Sequence, residues 1–180
     1  MTQVGHSLTA ITIGVVTIPK MSSARTKAVY YATLVVLANV PDFPIAGWGH
    51  DAYHISHSVF VNLALIVLCL AFGLVFWRFG KRTVRWRMVI GGVAAWLSHL
   101  LLDSMYNHGK GVAIFWPFSD ARLALPVPWF ATVRNPRPFT DWQTLQVAVI
   151  ELVSYGTVLA VVILVKRYIH WHGRRPAKAV

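Results

Sequence analysis

The apolar stretch over residues 59–77 most constrains the fold, because its nineteen residues include one polar side chain, Asn62, and no charge. A helix of this length spans about 30 Å, which is the thickness of the hydrocarbon core of a bilayer. Composition agrees with a membrane protein: 56% of the 180 residues are hydrophobic and 13% are charged, whereas about a quarter are charged in soluble domains. The 8 Trp, 9 Phe and 6 Tyr exclude a disordered chain.

Four further apolar runs are candidate spans, at residues 8–19, 28–40, 88–102 and 145–165. The first is too short to cross comfortably, and the last carries Glu151 as its only charge. The sequence therefore predicts an all-α fold, a polytopic membrane bundle of four to five helices. It predicts one membrane-embedded domain over residues 1–180, with an outer loop region at 104–142 and a basic cytoplasmic tail at 166–180.

The basic residues predict the orientation. Thirteen of the 17 lie in three alternate connections, at 20–27, 78–87 and 166–178, and these contain no Asp or Glu. Cytoplasmic loops carry the excess of Lys and Arg. We therefore expect a multi-pass protein of the cell (inner) membrane, with its N-terminus outside and its C-terminus in the cytoplasm. The net charge of +11 then reflects this topology and attraction to membrane lipids, not nucleic-acid binding. The sequence predicts no oligomeric state.

Ionisable side chains collect at the outer ends of the predicted spans. His6 precedes the first run, Asp42 follows the second, His57 precedes the third, and His99 and Asp103 lie near the end of the fourth. Such groups are costly in a membrane and tend to be paired or functional. His99 and Asp103, four residues apart, share one helix face. They suit zinc, or iron or manganese where oxygen ligands dominate; the alternative is a hydrogen-bonded pair that stabilises the helix end.

Other polar residues on this side have open roles. His54 can support a ligand or contact substrate, and His108 can be a ligand, a proton shuttle or a turn residue. Glu151 can be a ligand, a partner of a liganding histidine or a plain interhelical hydrogen-bond acceptor. Three loop arginines can clamp phosphate oxygens or be solvated charges: Arg122, Arg134 and Arg137.

Several short segments have a distinctive order and spacing. They are Gly5-His6-Ser7, Asn39-Val40-Pro41-Asp42, His57-Ser58, Ser98-His99-Leu100-Leu101-Leu102-Asp103 and Trp116-Pro117-Phe118-Ser119-Asp120. Across about residues 1–125 they resemble the YdjM family of membrane-bound metal-dependent hydrolases, described as LexA-regulated in some bacteria. That family is remotely similar to zinc-dependent phospholipase C and the P1-type nucleases, helical enzymes with metals held by scattered His and Asp.

The resemblance implies a ligand set with Asp103 bridging two ions: His6, Asp42, His57, His99 and Asp103. The distant relatives also use a later His-x-x-x-Glu pair, which nothing after His108 supplies outside the tail. One or two ions, zinc first, are therefore expected.

We therefore expect a metal-dependent hydrolase in which metal-activated water attacks a phosphoester at the outer membrane–water interface. The expected substrate is a lipid or lipid-linked phosphoester, and Asp42 or Asp103 is the expected general base. The alternative is a non-enzymatic metal-binding or structural membrane protein. Metal transport is disfavoured because the inner halves of the spans are almost wholly apolar.

Overall fold

The computed structural model describes residues 3–19, 23–49, 52–79, 85–106, 111–125, 127–130 and 141–172, and it is built from helices. In chain order they are α1 (Gln3–Thr17), α2 (Ala24–Asn39), the short helix α3 (Tyr53–Ser56), α4 (Val59–Phe79), α5 (Trp86–Ser104) and α6 (Trp142–His172). A 3-10 turn over Val40–Asp42 follows α2. The described residues contain no β-strand, only an isolated bridge between Val112 and Leu123. The all-α prediction is confirmed.

Each long helix extends beyond the apolar run from which it was predicted, at one end or at both. α2 begins at Ala24 because the Ser23 hydroxyl caps it, accepting from the Thr26 amide at 3.1 Å. α6 continues through His172, past the predicted start of the tail, since basic side chains are favourable at a helix C-terminus. By length and composition α6 can cross a membrane, and Val59–Leu74 of α4 is a shorter apolar helix. The count of four to five spans stays a prediction.

Small residues let the inner helices approach closely. α1 packs against α2, α5 and α6, and α2 also packs against α5. At Gly91 of α5, a Cβ would collide with the hydroxyls of Tyr30 and Thr17. Those two hydroxyls hydrogen-bond to each other at 2.8 Å. Small residues at helix contacts are common in membrane proteins, and here the glycine makes room for two side-chain hydroxyls of α1 and α2.

Neighbouring helices hold α1 at both ends. The Gly5 amide near its N-terminus donates to Oε2 of Glu151 on α6 at 3.0 Å. At its other end, Lys166 donates to the carbonyl of Val15, and Arg87 donates to the next carbonyl at 3.5 Å. A carboxylate at the N-terminus and cations at the C-terminus both complement the helix dipole. The position of α1, and with it that of His6, is therefore set by α5 and α6.

The described loop after α5 folds back onto the start of α4. The Val59 amide donates to the Ile114 carbonyl at 2.9 Å, and the Ser58 hydroxyl donates to the Trp116 carbonyl. Leu125 is tied to the end of α5, since its amide donates to the Ser104 carbonyl at 2.7 Å. This loop lies at the same end of the bundle as the 3-10 turn and α3, and that end is where the ionisable side chains meet.

Candidate metal centre

Two histidines and two aspartates form a compact group of four donor atoms. Nε2 of His57 lies 3.0 Å from Oδ2 of Asp103, 3.3 Å from Oδ1 of Asp42 and 3.2 Å from Nε2 of His99. Nε2 of His99 lies 3.6 Å from each of the same two oxygens. Five of the six distances between these four donor atoms are therefore between 3.0 and 3.6 Å.

These spacings fit a metal ion. Tetrahedral zinc binds nitrogen and carboxylate oxygen at about 2.0–2.1 Å, which puts neighbouring ligand atoms about 3.3 Å apart. The observed distances between donor atoms lie on either side of that value. Two imidazoles with two carboxylates also form a set that zinc, iron or manganese accepts. The described residues thus include a buried His/Asp group able to bind a divalent metal.

The outer hydrogen bonds of both imidazoles point the Nε2 lone pairs into this group. Nδ1 of His99 lies 2.7 Å from the Ala38 carbonyl, so it carries the proton. The Ser56 hydroxyl donates to the Gly49 carbonyl at 3.0 Å, so at 2.7 Å it accepts from Nδ1 of His57. In their neutral forms the two rings then face each other with unprotonated Nε2 atoms at 3.2 Å. A cation held by these two nitrogens would remove that repulsion, and such support of Nδ1 is typical of metal-binding histidines.

His6 adds a fifth donor beside this group. Its ring stacks on His99 at 3.8 Å, and its Nε2 lies 3.3 Å from Oδ1 of Asp103. His6 is fully buried, yet neither of its ring nitrogens nor Oδ1 of Asp103 makes a well-aligned hydrogen bond among the described residues. The ligand atoms of His6, Asp42, His99 and Asp103 all lie within 4.8 Å of one another. Asp103 thus turns one oxygen towards His6 and the other towards His57 and His99.

The electrostatics of the group attract a cation. Burial acts to raise the pKa of Asp42, but hydrogen bonds with His57 and His99 hold that pKa well below its ordinary range. Burial likewise acts to lower the pKa of His57, but its bonds with Asp103 and Asp42 raise that pKa above the ordinary value. The carboxylates therefore stay ionised at neutral pH, and their charge is balanced by protons on the imidazoles or by a metal ion in their place.

The sequence analysis missed Tyr53, which touches two of the donors. Its hydroxyl donates to Oδ2 of Asp103 at 3.3 Å, and its ring stacks on His57 at 3.8 Å. Burial and the negative charges of Asp103 and Asp42 raise the pKa of Tyr53, so the phenol stays neutral and remains a donor. Its position four residues before His57, on the short helix that ends there, is the signal that could have found it.

Asn62, the one polar residue of the long apolar run, supports the same turn. Its side-chain amide donates to the carbonyls of Ser56 and Ser58 at 2.7 and 2.8 Å. Its Oδ1 accepts from Nε1 of Trp96 at 2.7 Å. A lone amide in an apolar span indicates a buried hydrogen-bonding role, and here that role is to fix the backbone on both sides of His57.

The remaining predicted residues lie outside the donor group. His54 is exposed, and its ring makes an edge contact with Trp116, with centroids 5.2 Å apart. Arg122 is exposed, donates to the Gly111 carbonyl at 3.3 Å and lies near enough to Tyr53 for its charge to act on the phenol. Their roles stay predictions. Three predicted residues lie outside the described residues: His108, Arg134 and Arg137.

Glu151 is buried and contacts the backbone beside His6 through its bond with the Gly5 amide. This contact is an interhelical hydrogen bond, one of the three roles left open by the sequence, and the other two roles stay predictions.

Comparison with known proteins identifies the family of the chain. Residues 1–177 match the family described as YdjM inner membrane protein. The chain belongs to the YdjM family. Inner membrane protein YbcI of Escherichia coli (strain K12) is 29% identical over 133 residues, which cover 68% of this chain and 65% of that relative's own length. No solved structure matches the chain. The predicted family and membrane location are confirmed, while the similarity to phospholipase C and the P1-type nucleases stays a prediction.

In this YdjM protein, Ser56→Ala should weaken metal binding without removing a donor. The variant takes away the acceptor for Nδ1–H of His57, and loss of such a partner lowers metal affinity about 10- to 100-fold. Competition titration of zinc against a chromophoric chelator measures this affinity. Ser98→Ala is the matched control, because the Ser98 hydroxyl bonds to the Ala95 carbonyl of its own helix. Equal affinities in the two variants would contradict the assigned tautomer of His57.

Proposed function

We propose that this YdjM protein is a membrane-bound metal-dependent hydrolase of phosphoesters. Its metal would be zinc, iron or manganese, one or two ions, held by the five-residue donor group: His6, Asp42, His57, His99 and Asp103. The observation that carries the proposal is the spacing of the His57, His99, Asp42 and Asp103 donor atoms. Five of their six separations suit the ligands of one tetrahedral ion, and the side chains come from three separate parts of the chain.

Hydrolysis of a phosphoester at such a site would require a bound ion and a proton acceptor from the protein. A divalent ion of this kind lowers the pKa of a bound water from about 15.7 towards about 7, which supplies a nucleophile at neutral pH. The side chain of Asp42 is 13% exposed and that of Asp103 only 4%, so Asp42 is the better placed general base. Arg122, on the neighbouring loop, would bind the phosphate oxygens, because guanidinium matches them in a bidentate fork.

The surroundings of the group favour a lipid or lipid-linked substrate at the outer membrane surface. The centre lies at one end of the bundle, and the Lys166 and Arg87 contacts lie at the other end of α1. The positive-inside rule then gives a multi-pass topology with the centre outside. Near the centre, Phe118 is 79% exposed and meets the exposed ring of Phe60 edge-on. Aromatic rings exposed at that level suit contact with the headgroup region.

The test is hydrolysis by detergent-purified protein loaded with zinc. The probes are phosphatidic acid in mixed micelles, a lipid monoester, and bis(p-nitrophenyl) phosphate, a soluble diester. We expect phosphate release from the lipid that stops on EDTA treatment and returns with added zinc, because the nucleophile depends on the ion. Stoichiometric metal without hydrolysis of either phosphoester would contradict the hydrolase and favour a non-enzymatic metal-binding membrane protein.

A further inference from the structure

An apolar groove with a cavity volume of about 860 Å³ lies between α2, α4 and α5. Leu37 of α2, Ile66 of α4, and Gly92 and Trp96 of α5 line it. Arg25, in the first turn of α2, is the one charged side chain among the described residues that line this groove. The groove is thus mainly apolar, with a few hydroxyl side chains of α2 in its lining, and is cationic at one end.

The length of the groove matches one leaflet of a bilayer. Arg25 and Leu37 are twelve residues apart on α2, which corresponds to about 18 Å along the helix axis. The hydrocarbon of one leaflet is about 15 Å deep, half of about 30 Å. A lipid acyl chain can therefore lie along the groove while its headgroup remains at the level of Arg25.

The groove is closed towards the metal centre. Trp96 is 8% exposed and Asn62 is fully buried, and the bond between them forms a wall between the groove and the turn that carries His57. Ala38, which follows Leu37, is fully buried, and its carbonyl is taken by His99. A lipid acyl chain in the groove therefore has its polar end at Arg25, on the opposite side from the metal donors. It is not the tail of a substrate bound at the metal donors.

We propose that this groove is a binding site for an anionic phospholipid. One acyl chain lies between α2, α4 and α5, and the headgroup phosphate contacts the exposed guanidinium of Arg25. The charge of Arg25 selects an anionic headgroup, and the apolar lining selects a chain over a free phosphate. This site is separate from the proposed hydrolase site and does not depend on it.

The test uses the full chain in nanodiscs of phosphatidylcholine doped with phosphatidylglycerol that carries a diazirine on its acyl chain. After irradiation, peptide mass spectrometry locates the crosslinks. We expect groove crosslinks, at positions such as Leu37 and Ile66, that unlabelled phosphatidylglycerol displaces at least about fivefold better than added phosphatidylcholine, since one basic residue near the surface contributes about that factor. Crosslinks on the exposed face of α6, at positions such as Val161, report bulk lipid and should not saturate.

Two pairs of variants separate headgroup from chain. Arg25→Gln should abolish the preference for phosphatidylglycerol, whereas Lys27→Gln, which removes a charge outside the groove lining, should keep it. Gly92→Leu should reduce groove crosslinks by filling the groove against Leu37, whereas Gly73→Leu enters open space and should not. Three results would overturn the proposal. The first is equal displacement by both lipids, and the second is a preference for phosphatidylglycerol that survives Arg25→Gln. The third is a loss of groove crosslinks as protein density rises, because it would show that a second protein chain covers the groove.

Discussion

Asp103→Asn should abolish metal binding, and with it the proposed metal-dependent hydrolysis, while leaving the protein in the membrane. Among the residues that the structure describes, Asp103 is the one carboxylate whose two oxygens lie within 3.6 Å of three imidazole nitrogens, those of His6, His57 and His99. The amide is isosteric but uncharged, and its NH₂ group cannot ligate a metal. The variant therefore removes the charge and one of the two donor oxygens without opening a cavity, so no oxygen remains for one side of the group, and we expect the bound metal to fall below detection.

Elemental mass spectrometry of the purified protein measures this loss, beside membrane fractionation for insertion. Asp120→Asn is the matched control, because Asp120 lies exposed on the loop after α5 and outside the donor group. His99→Ala should behave as Asp103→Asn does. Full metal content in the Asp103 and His99 variants would show that the histidines and aspartates form only a hydrogen-bonded network.

The ends of the apolar runs marked the five residues as candidates, and the family resemblance implied that they form the ligand set. His6, Asp42, His57, His99 and Asp103 each flank or end a run, and helices packed side by side bring such ends together. The structure places all five in mutual contact or beside a shared partner. Helix periodicity alone predicts that His99 and Asp103, four residues apart, share one helix face. Their roles as ligands stay predictions.

The residues that support these donors could not be selected in the same way. Tyr53 and Ser56 act through the geometry of an irregular turn, where the Ser56 hydroxyl reaches the Gly49 carbonyl. Hydrophobic periodicity carries no information about such a turn. The contact of Glu151 with Gly5 joins residues 146 positions apart, so it depends on which helices are neighbours. The number of spans is equally undetermined by pattern, because α1 and α2 have 15 and 16 residues, near or below the length that crosses a bilayer.

Glu151→Ala should loosen α1 and weaken metal binding at a distance. Glu151 is fully buried, and its Oε2 accepts from the Gly5 amide, the residue before His6. Alanine leaves that amide buried without this partner, at a cost of about 1–3 kcal/mol. The first turn of α1 then moves or frays, and we expect zinc affinity to fall about 10-fold or more, as it does when a partner that orients a ligand is lost. Zinc titration and thermal unfolding in detergent measure the two effects.

Glu151→Gln separates a positioning role from a ligand role. Glutamine keeps a side-chain carbonyl that can accept from the Gly5 amide, so we expect zinc affinity and unfolding temperature close to those of the unaltered protein. If Glu151 were itself a ligand, the uncharged amide would bind zinc as poorly as alanine does. Equal loss of affinity in the Gln and Ala variants would therefore contradict positioning, and would place the carboxylate charge of α6 in direct contact with the ion.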